Sequence, residues 1–162
     1  MVYIIFYRII YIFFVMNPYD KIAEYLYLGS RHALDSYDKF KLIVNCTKES
    51  DVKFPPNCDY CIRLPVDDIP DESDKLLLLI NTTNILNQIH KKLLNKEPVL
   101  VHCSAGRQRS CAVVACYLIK FYNMTPLEAI DYIKSNRKVA FFGAINFSNT
   151  INQFYIEQKK LL

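Results

Sequence analysis

The stretch VLVHCSAGRQRSCAVVACYLIKF, residues 99–121, reads as a strand, a loop and a helix in immediate succession. VLVH follows Pro98 and is a short, continuous apolar run of the kind expected for a strand buried on both faces. Residues 110–121, SCAVVACYLIKF, are apolar nearly all round, which predicts a central buried helix. Between them, Gly106 is one of only three glycines in the chain, so its backbone freedom is expected to serve a tight turn.

Flanking segments continue the alternation. Residues 25–28 form a β-type run ending at Gly29, Leu42–Asn45 is a second ahead of the polar residues 47–51, and residues 60–66 make a third behind Pro55 and Pro56. Over residues 74–95, Leu76, Leu79, Ile80, Ile85, Leu86, Ile89, Leu93 and Leu94 fall largely on a helical stripe. That predicts one long amphipathic helix, which Pro98 keeps from continuing. Thr125, Pro126 and Glu128 make a capping box with proline in its preferred first position, so a helix is expected to about Arg137, and a last amphipathic helix follows Asn146. Strands alternating with helices predict an α/β fold, one compact domain whose central, mainly parallel sheet is flanked by helices. In such a sheet ligands gather beyond the carboxyl ends of the strands, where VLVH delivers the loop.

With 162 residues, 52% of them hydrophobic, the chain buries one ordinary core and is too short for two comfortable domains. Its net charge of +4 is spread along the chain and favours acidic ligands only weakly. Of the six cysteines, Cys46, Cys103, Cys111 and Cys116 lie in apolar or strand-like runs where a reduced thiol packs as a small hydrophobe. Cys58 and Cys61 form a C-x-x-C, but no second pair of ligands completes a zinc site. No disulfide framework is expected, and the chain reads as a protein of a reducing compartment, cytoplasmic or nuclear.

The first sixteen residues, MVYIIFYRIIYIFFVM, are almost entirely aliphatic and aromatic. They fall short of the roughly 20 apolar residues of a membrane span and lack the basic and small-residue flanks of a secretory signal. Two readings stand for 1–16: an anchor to a membrane or partner, or an upstream start ahead of Met16. Residues 17–162 are then expected to form the one domain that carries the 102–110 loop.

The loop HCSAGRQRS, residues 102–110, is placed like an anion site. Backbone N–H groups between Cys103 and Arg109 can curl around a tetrahedral oxyanion, aided by the positive end of the following helix. Ser104, Ala105, Gly106, Arg107 and Gln108 are therefore the expected substrate-binding residues, and Arg109 can hold phosphate oxygens with two parallel hydrogen bonds. The same field stabilises a thiolate, since cysteines so placed fall to pKa values of about 3.5–7.5. An ionised Cys103 is then poised to attack phosphorus. Ser110 can hydrogen-bond the sulfur and ease its departure, while His102 is expected to order the loop. Cys46 and Cys111 are candidates either for core packing or for rescuing an oxidised Cys103.

HCSAGRQRS resembles the signature loop of the cysteine-dependent protein tyrosine phosphatases. The small dual-specificity branch is resembled by EYLYLGS (24–30), LIVNCTKE (42–49), IRLPVDD (62–68), PVLVHCSAGRQRS (98–110) and MTPLEAIDYIKSNR (124–137), in that order. The resemblance implies a phosphatase acting on phosphotyrosine and phosphoserine or phosphothreonine of protein substrates, with no metal or organic cofactor. It also implies a general acid in the loop after Leu64-Pro65-Val66, where the family's spacing from the proline selects Asp68 and leaves Asp67 in reserve. Arg107 and Gln108 depart from the small or apolar residues common in this branch. Their extra cation and amide keep open a more highly charged substrate, either a phosphoinositide or an RNA 5′-triphosphate end, with no other nucleic-acid partner expected. A catalytically silent phosphate-binding module is the alternative outside enzymes. Abundant Ile, Asn, Lys and Tyr point to an AT-rich genome, such as that of a large DNA virus or a protist.

Overall fold

VLVH becomes the middle strand of a five-stranded sheet in the computed structural model, which describes residues 16–162. The strands are β1 (Tyr19–Ala23), β2 (Leu26–Gly29), β3 (Leu42–Asn45), β4 (Cys61–Arg63) and β5 (Val99–His102), in the order β1-β2-β5-β3-β4. β5 pairs in parallel with both β2 and β3, setting His102 opposite Gly29 on one side and Asn45 on the other. Only the β1–β2 pair is antiparallel, a hairpin whose turn uses Tyr25 at φ 63°. The sheet is thus mainly parallel, as the alternation predicts. The expectations for 1–16 fall almost wholly outside the described residues.

Side-chain alternation divides the sheet into two faces. Leu42, Val44, Val99 and Val101 point into the main core, while Ile43 and Leu100 point to the other side. The main core lies beneath five helices, α1 (Ser73–Thr82), α2 (Ile85–Leu94), α3 (Arg109–Tyr122), α4 (Pro126–Asn136) and α5 (Ser148–Lys160). The opposite face is covered by a 3-10 segment, Arg31–Lys39, and by Tyr19, Tyr27 and Phe40, whose rings meet edge to face. Helix α3 is buried from Arg109 through Ile119 and packs between β5, α4 and α5, which explains why its sequence shows no polar face.

Three expectations change. The long helix over 74–95 is two helices, because Asn84 adopts the left-handed conformation at φ 53°. The approach is already weakened: Thr82 and Thr83 turn their hydroxyls back onto the carbonyls of Leu78 and Leu79 at 2.8 and 2.6 Å. The break turns the second helix so that Ile85, Leu86 and Ile89 face the core, while Leu78 and Leu94 are left exposed. The strand expected over 60–66 shrinks to Cys61–Arg63, since β3 offers only a three-residue pairing before the chain turns toward the site. Cys58 and Cys61 are joined as a disulfide, their Cα atoms 5.7 Å apart, whereas Cys46, Cys103, Cys111 and Cys116 are free thiols.

Candidate active site

Beyond His102 the chain leaves β5 and curls back to enter α3 at Arg109. The curl requires Gly106: its φ is 63°, and a Cβ there would lie 2.4 Å from the carbonyl oxygen of Gly29. Arg137, at the end of α4, locks the turn from outside. Its buried guanidinium donates from Nε to the Gly106 carbonyl (2.8 Å) and from NH2 to that of Ala105 (3.2 Å), and its NH1 pairs with Asp20 on β1 (2.7 Å). Drawing those carbonyls outward onto a cation turns loop amides inward. Ser104 is held in a different way, its carbonyl accepting from the Arg31 N–H at 3.0 Å.

Cys103 lies at the base of this loop, 1% exposed, and its sulfur accepts a hydrogen bond from the Ser110 hydroxyl at 3.2 Å. Burial pushes its thiol up, but the Ser110 hydroxyl, the Arg109 charge and the N–H groups of Ser110 and Arg107 together hold it below the ordinary thiol value. By contrast, burial raises Cys46 and Cys111 well above that value, so both remain neutral packing groups. His102 is fully buried, with Nδ1 3.1 Å from the Cys103 carbonyl. Burial first, then neighbouring arginines, hold it down to about 4 despite that bond. The imidazole is therefore neutral at pH 7 and donates from Nδ1, tying down the loop's first peptide.

Arg109 is buried, with NH1 donating to the Val66 carbonyl at 3.1 Å and lying 3.8 Å from the Asp51 carboxylate. Its Nε is buried without a hydrogen-bond partner among the described residues, as is that of Arg107. A buried, unpartnered guanidinium nitrogen is costly, and an oxyanion in the loop offers it an acceptor. Of the two acidic candidates, Asp67 pairs with Lys48 at 2.5 Å. The lysine holds its carboxyl below the usual range. Asp68 is exposed, and its carboxylate accepts from Asn146 Nδ2 at 3.0 Å.

Gln108 corrects the expectation that its side chain meets substrate. It is 2% exposed and turned away from the loop. Its Nε2 donates to the carbonyls of Ala144 (2.8 Å) and Phe142 (3.3 Å), and its Oε1 accepts from the Asn146 N–H (3.1 Å). The amide satisfies a bend that runs past the loop, which a small or apolar residue could not do. Arg137, Asp51 and Asn146 are not marked as site residues by the sequence. Each reaches the site from a different part of the chain, and no local pattern marks them.

A family model described as the dual specificity phosphatase catalytic domain matches residues 25–157. The 123R protein of Invertebrate iridescent virus 6, whose name places it among tyrosine phosphatases, is 32% identical over 144 residues, covering 86% of this chain and 92% of its own. A phosphatidylglycerophosphate phosphatase of Arabidopsis thaliana, PTPMT2, is 42% identical over 59 residues, 36% of this chain and 26% of that protein. Among solved structures, human DUSP28 superimposes with a TM-score of 0.75 at 25% identity, covering 90% of this chain and 97% of that one. With the loop, the sheet order and a family match across most of its length in agreement, the chain belongs to the dual-specificity phosphatases of the cysteine-dependent tyrosine phosphatase superfamily.

Proposed function

We propose that this phosphatase hydrolyses phosphotyrosine and phosphoserine or phosphothreonine esters of proteins through a phosphorylated Cys103. The observation that carries the assignment is the Cys103 sulfur, buried beneath the loop amides, hydrogen-bonded to Ser110 and held below its ordinary pKa. In the first step the thiolate attacks phosphorus, an S–P bond forms and the P–O ester bond breaks, while Arg109 and the loop amides carry the growing charge on the equatorial oxygens. Asp68 gives its proton to the leaving oxygen. In the second, water attacks the same phosphorus, Asp68 takes back a proton and the S–P bond breaks. The departing thiolate is received by the Ser110 hydroxyl.

Asp68 is preferred to Asp67 because the Lys48 pair keeps Asp67 ionised, and a general acid must carry a proton. Cys103→Ser should abolish turnover while retaining binding of a phosphopeptide. Asp68→Asn should slow an alkyl phosphate about 100-fold or more and an activated aryl phosphate far less. Unchanged turnover of the alkyl phosphate by Asp68→Asn would overturn the acid assignment.

A second reading has one observation in its favour, the Nε of Arg107 on the same loop, buried and without a partner among the described residues. A lipid phosphate monoester with a further anionic group would suit that cation, and PTPMT2 is named for such a lipid substrate. A panel of phosphopeptides, phosphoinositides, phosphatidylglycerophosphate and triphosphate-ended RNA, run with wild type and Arg107→Val, separates the readings. Preference for the lipids that vanishes in Arg107→Val would displace the protein substrate. Cytoplasmic or nuclear residence belongs to the same proposal and is supported by the need of Cys103 to remain a thiol, while the Cys58–Cys61 disulfide removes the absence of disulfides as a ground for it. Cell fractionation tests it, along with the anchor reading of residues 1–16.

A further inference from the structure

We infer that Asn146 is the residue that positions the general acid, and that Gln108 ties this positioning to the phosphate loop. The inference rests on the assignment of Asp68 as the acid. Asn146 lies in the bend between α4 and α5, distant in sequence from both groups that it joins. Its Nδ2 donates to two acceptors of one residue, the Asp68 carbonyl at 3.2 Å and the Asp68 Oδ1 at 3.0 Å. Gripping backbone and side chain together fixes the carboxyl's direction, which a single bond to an exposed aspartate would not. No other hydrogen bond or ion pair reaches the Asp68 carboxylate among the described residues.

Asn146 is itself held from two sides. Its N–H donates to Gln108 Oε1 at 3.1 Å, and its carbonyl accepts from the Ser73 hydroxyl at 3.3 Å. Gln108 directly precedes Arg109, and its amide is spent entirely on the bend through Ala144, Phe142 and Asn146. The orientation of each amide is unambiguous, because its nitrogen faces carbonyl or carboxylate oxygens and the Gln108 oxygen faces an N–H. A continuous path of hydrogen bonds therefore runs from the residue before Arg109 to the carboxyl that must meet the leaving oxygen.

The chemistry gives this path a purpose. An N–H on Oδ1 marks that oxygen as the acceptor of the carboxyl group and leaves Oδ2 to carry the transferable proton. Proton transfer needs the acid within hydrogen-bond reach of the leaving oxygen, and misplacement by about 1 Å costs on the order of 100-fold. A loop as exposed as 68–70 cannot hold such a tolerance by packing alone.

The test compares Asn146→Ala, Gln108→Met and Asp68→Asn, singly and combined, on an alkyl phosphate and on an aryl phosphate whose leaving group needs no proton. Asn146→Ala should lower kcat on the alkyl phosphate about 10- to 100-fold and on the aryl phosphate less than about twofold, with orthovanadate inhibition unchanged. Gln108→Met should show the same pattern more weakly. In the Asp68→Asn background, Asn146→Ala should cost less than about twofold more, because the group it positions is already gone. Equal losses on both substrates with weakened vanadate binding, or losses that multiply with Asp68→Asn, would mean that Asn146 only supports the fold. If Asp68→Asn impairs the alkyl phosphate while Asn146→Ala does not, the positioning role alone falls. If Asp68→Asn has no effect, the acid assignment falls and takes this inference with it.

Discussion

At Cys103 two opposing influences meet, burial that disfavours the thiolate and a ring of donors that favours it, and the donors win. The Ser110 hydroxyl is the foremost of them. Ser110→Ala should therefore move the midpoint of Cys103 alkylation by iodoacetate to higher pH. A hydrogen bond to a charged group contributes about 1.5–3 kcal/mol, so the variant should also slow breakdown of the cysteinyl phosphate about 10- to 100-fold. A burst of released alcohol before steady state would reveal it; an unshifted alkylation profile would show that Ser110 does not tune the sulfur. His102 makes a second prediction at this scale. Its folded value of about 4 lies below the ordinary 6.5, so the unfolded chain takes up a proton that the folded protein refuses. Stability from this residue is complete above about pH 6.5 and is lost as pH falls toward 4, by about 3 kcal/mol in all. Urea midpoints measured across that window should fall steeply in wild type and more gently in His102→Gln. The residues legible in the sequence, Cys103, Arg109 and Ser110, are those whose spacing in one loop suits the proposed chemistry. Gln108 is legible as a member of the loop, but only the fold shows that its side-chain amide has three backbone partners outside the loop.

Elements announced by local signals are the ones legible in the sequence. VLVH has no polar residue before His102 and became β5, and Thr125 with Glu128 forms the reciprocal cap expected of it. Strand β1 carried no comparable signal: YDKIA has polar residues on a strand with only Ile22 buried, and it is set by pairing with β2. The helix break at Asn84 was hidden for a different reason, since apolar residues on either side of it satisfy one continuous stripe unless the conformation of a single residue is known. Asn tolerates the left-handed region better than other residues with a Cβ, and glycine does so without strain. Asn84→Gly should thus leave stability nearly unchanged, whereas Asn84→Val should cost about 1–2 kcal/mol. Chemical denaturation of the two variants measures the difference. Equal stability for both would mean that the residue at 84 does not decide where one helix ends and the other begins.

Across the whole molecule, the 102–110 loop depends on parts of the chain that lie outside it. Arg137 at the end of α4 donates to the Ala105 and Gly106 carbonyls, and the same guanidinium holds Asp20 on β1 and the Asn17 carbonyl before it. Asp20, on the edge strand of the sheet, supplies the counter-charge that lets this buried cation stay where it orients the loop. Removing one partner of a buried pair leaves the other charged and uncompensated, at a cost of about 3 kcal/mol. Asp20→Ala should therefore lower the urea midpoint and also weaken inhibition by phosphate several-fold, as Arg137 relaxes from the two carbonyls. Asp20→Asn, which keeps an acceptor at nearly the same place, should lose less of both. The two readouts should change together. A large loss of stability with unaltered phosphate affinity would show that Arg137 holds the loop without help from β1, and that the sheet edge and the active site are mechanically independent.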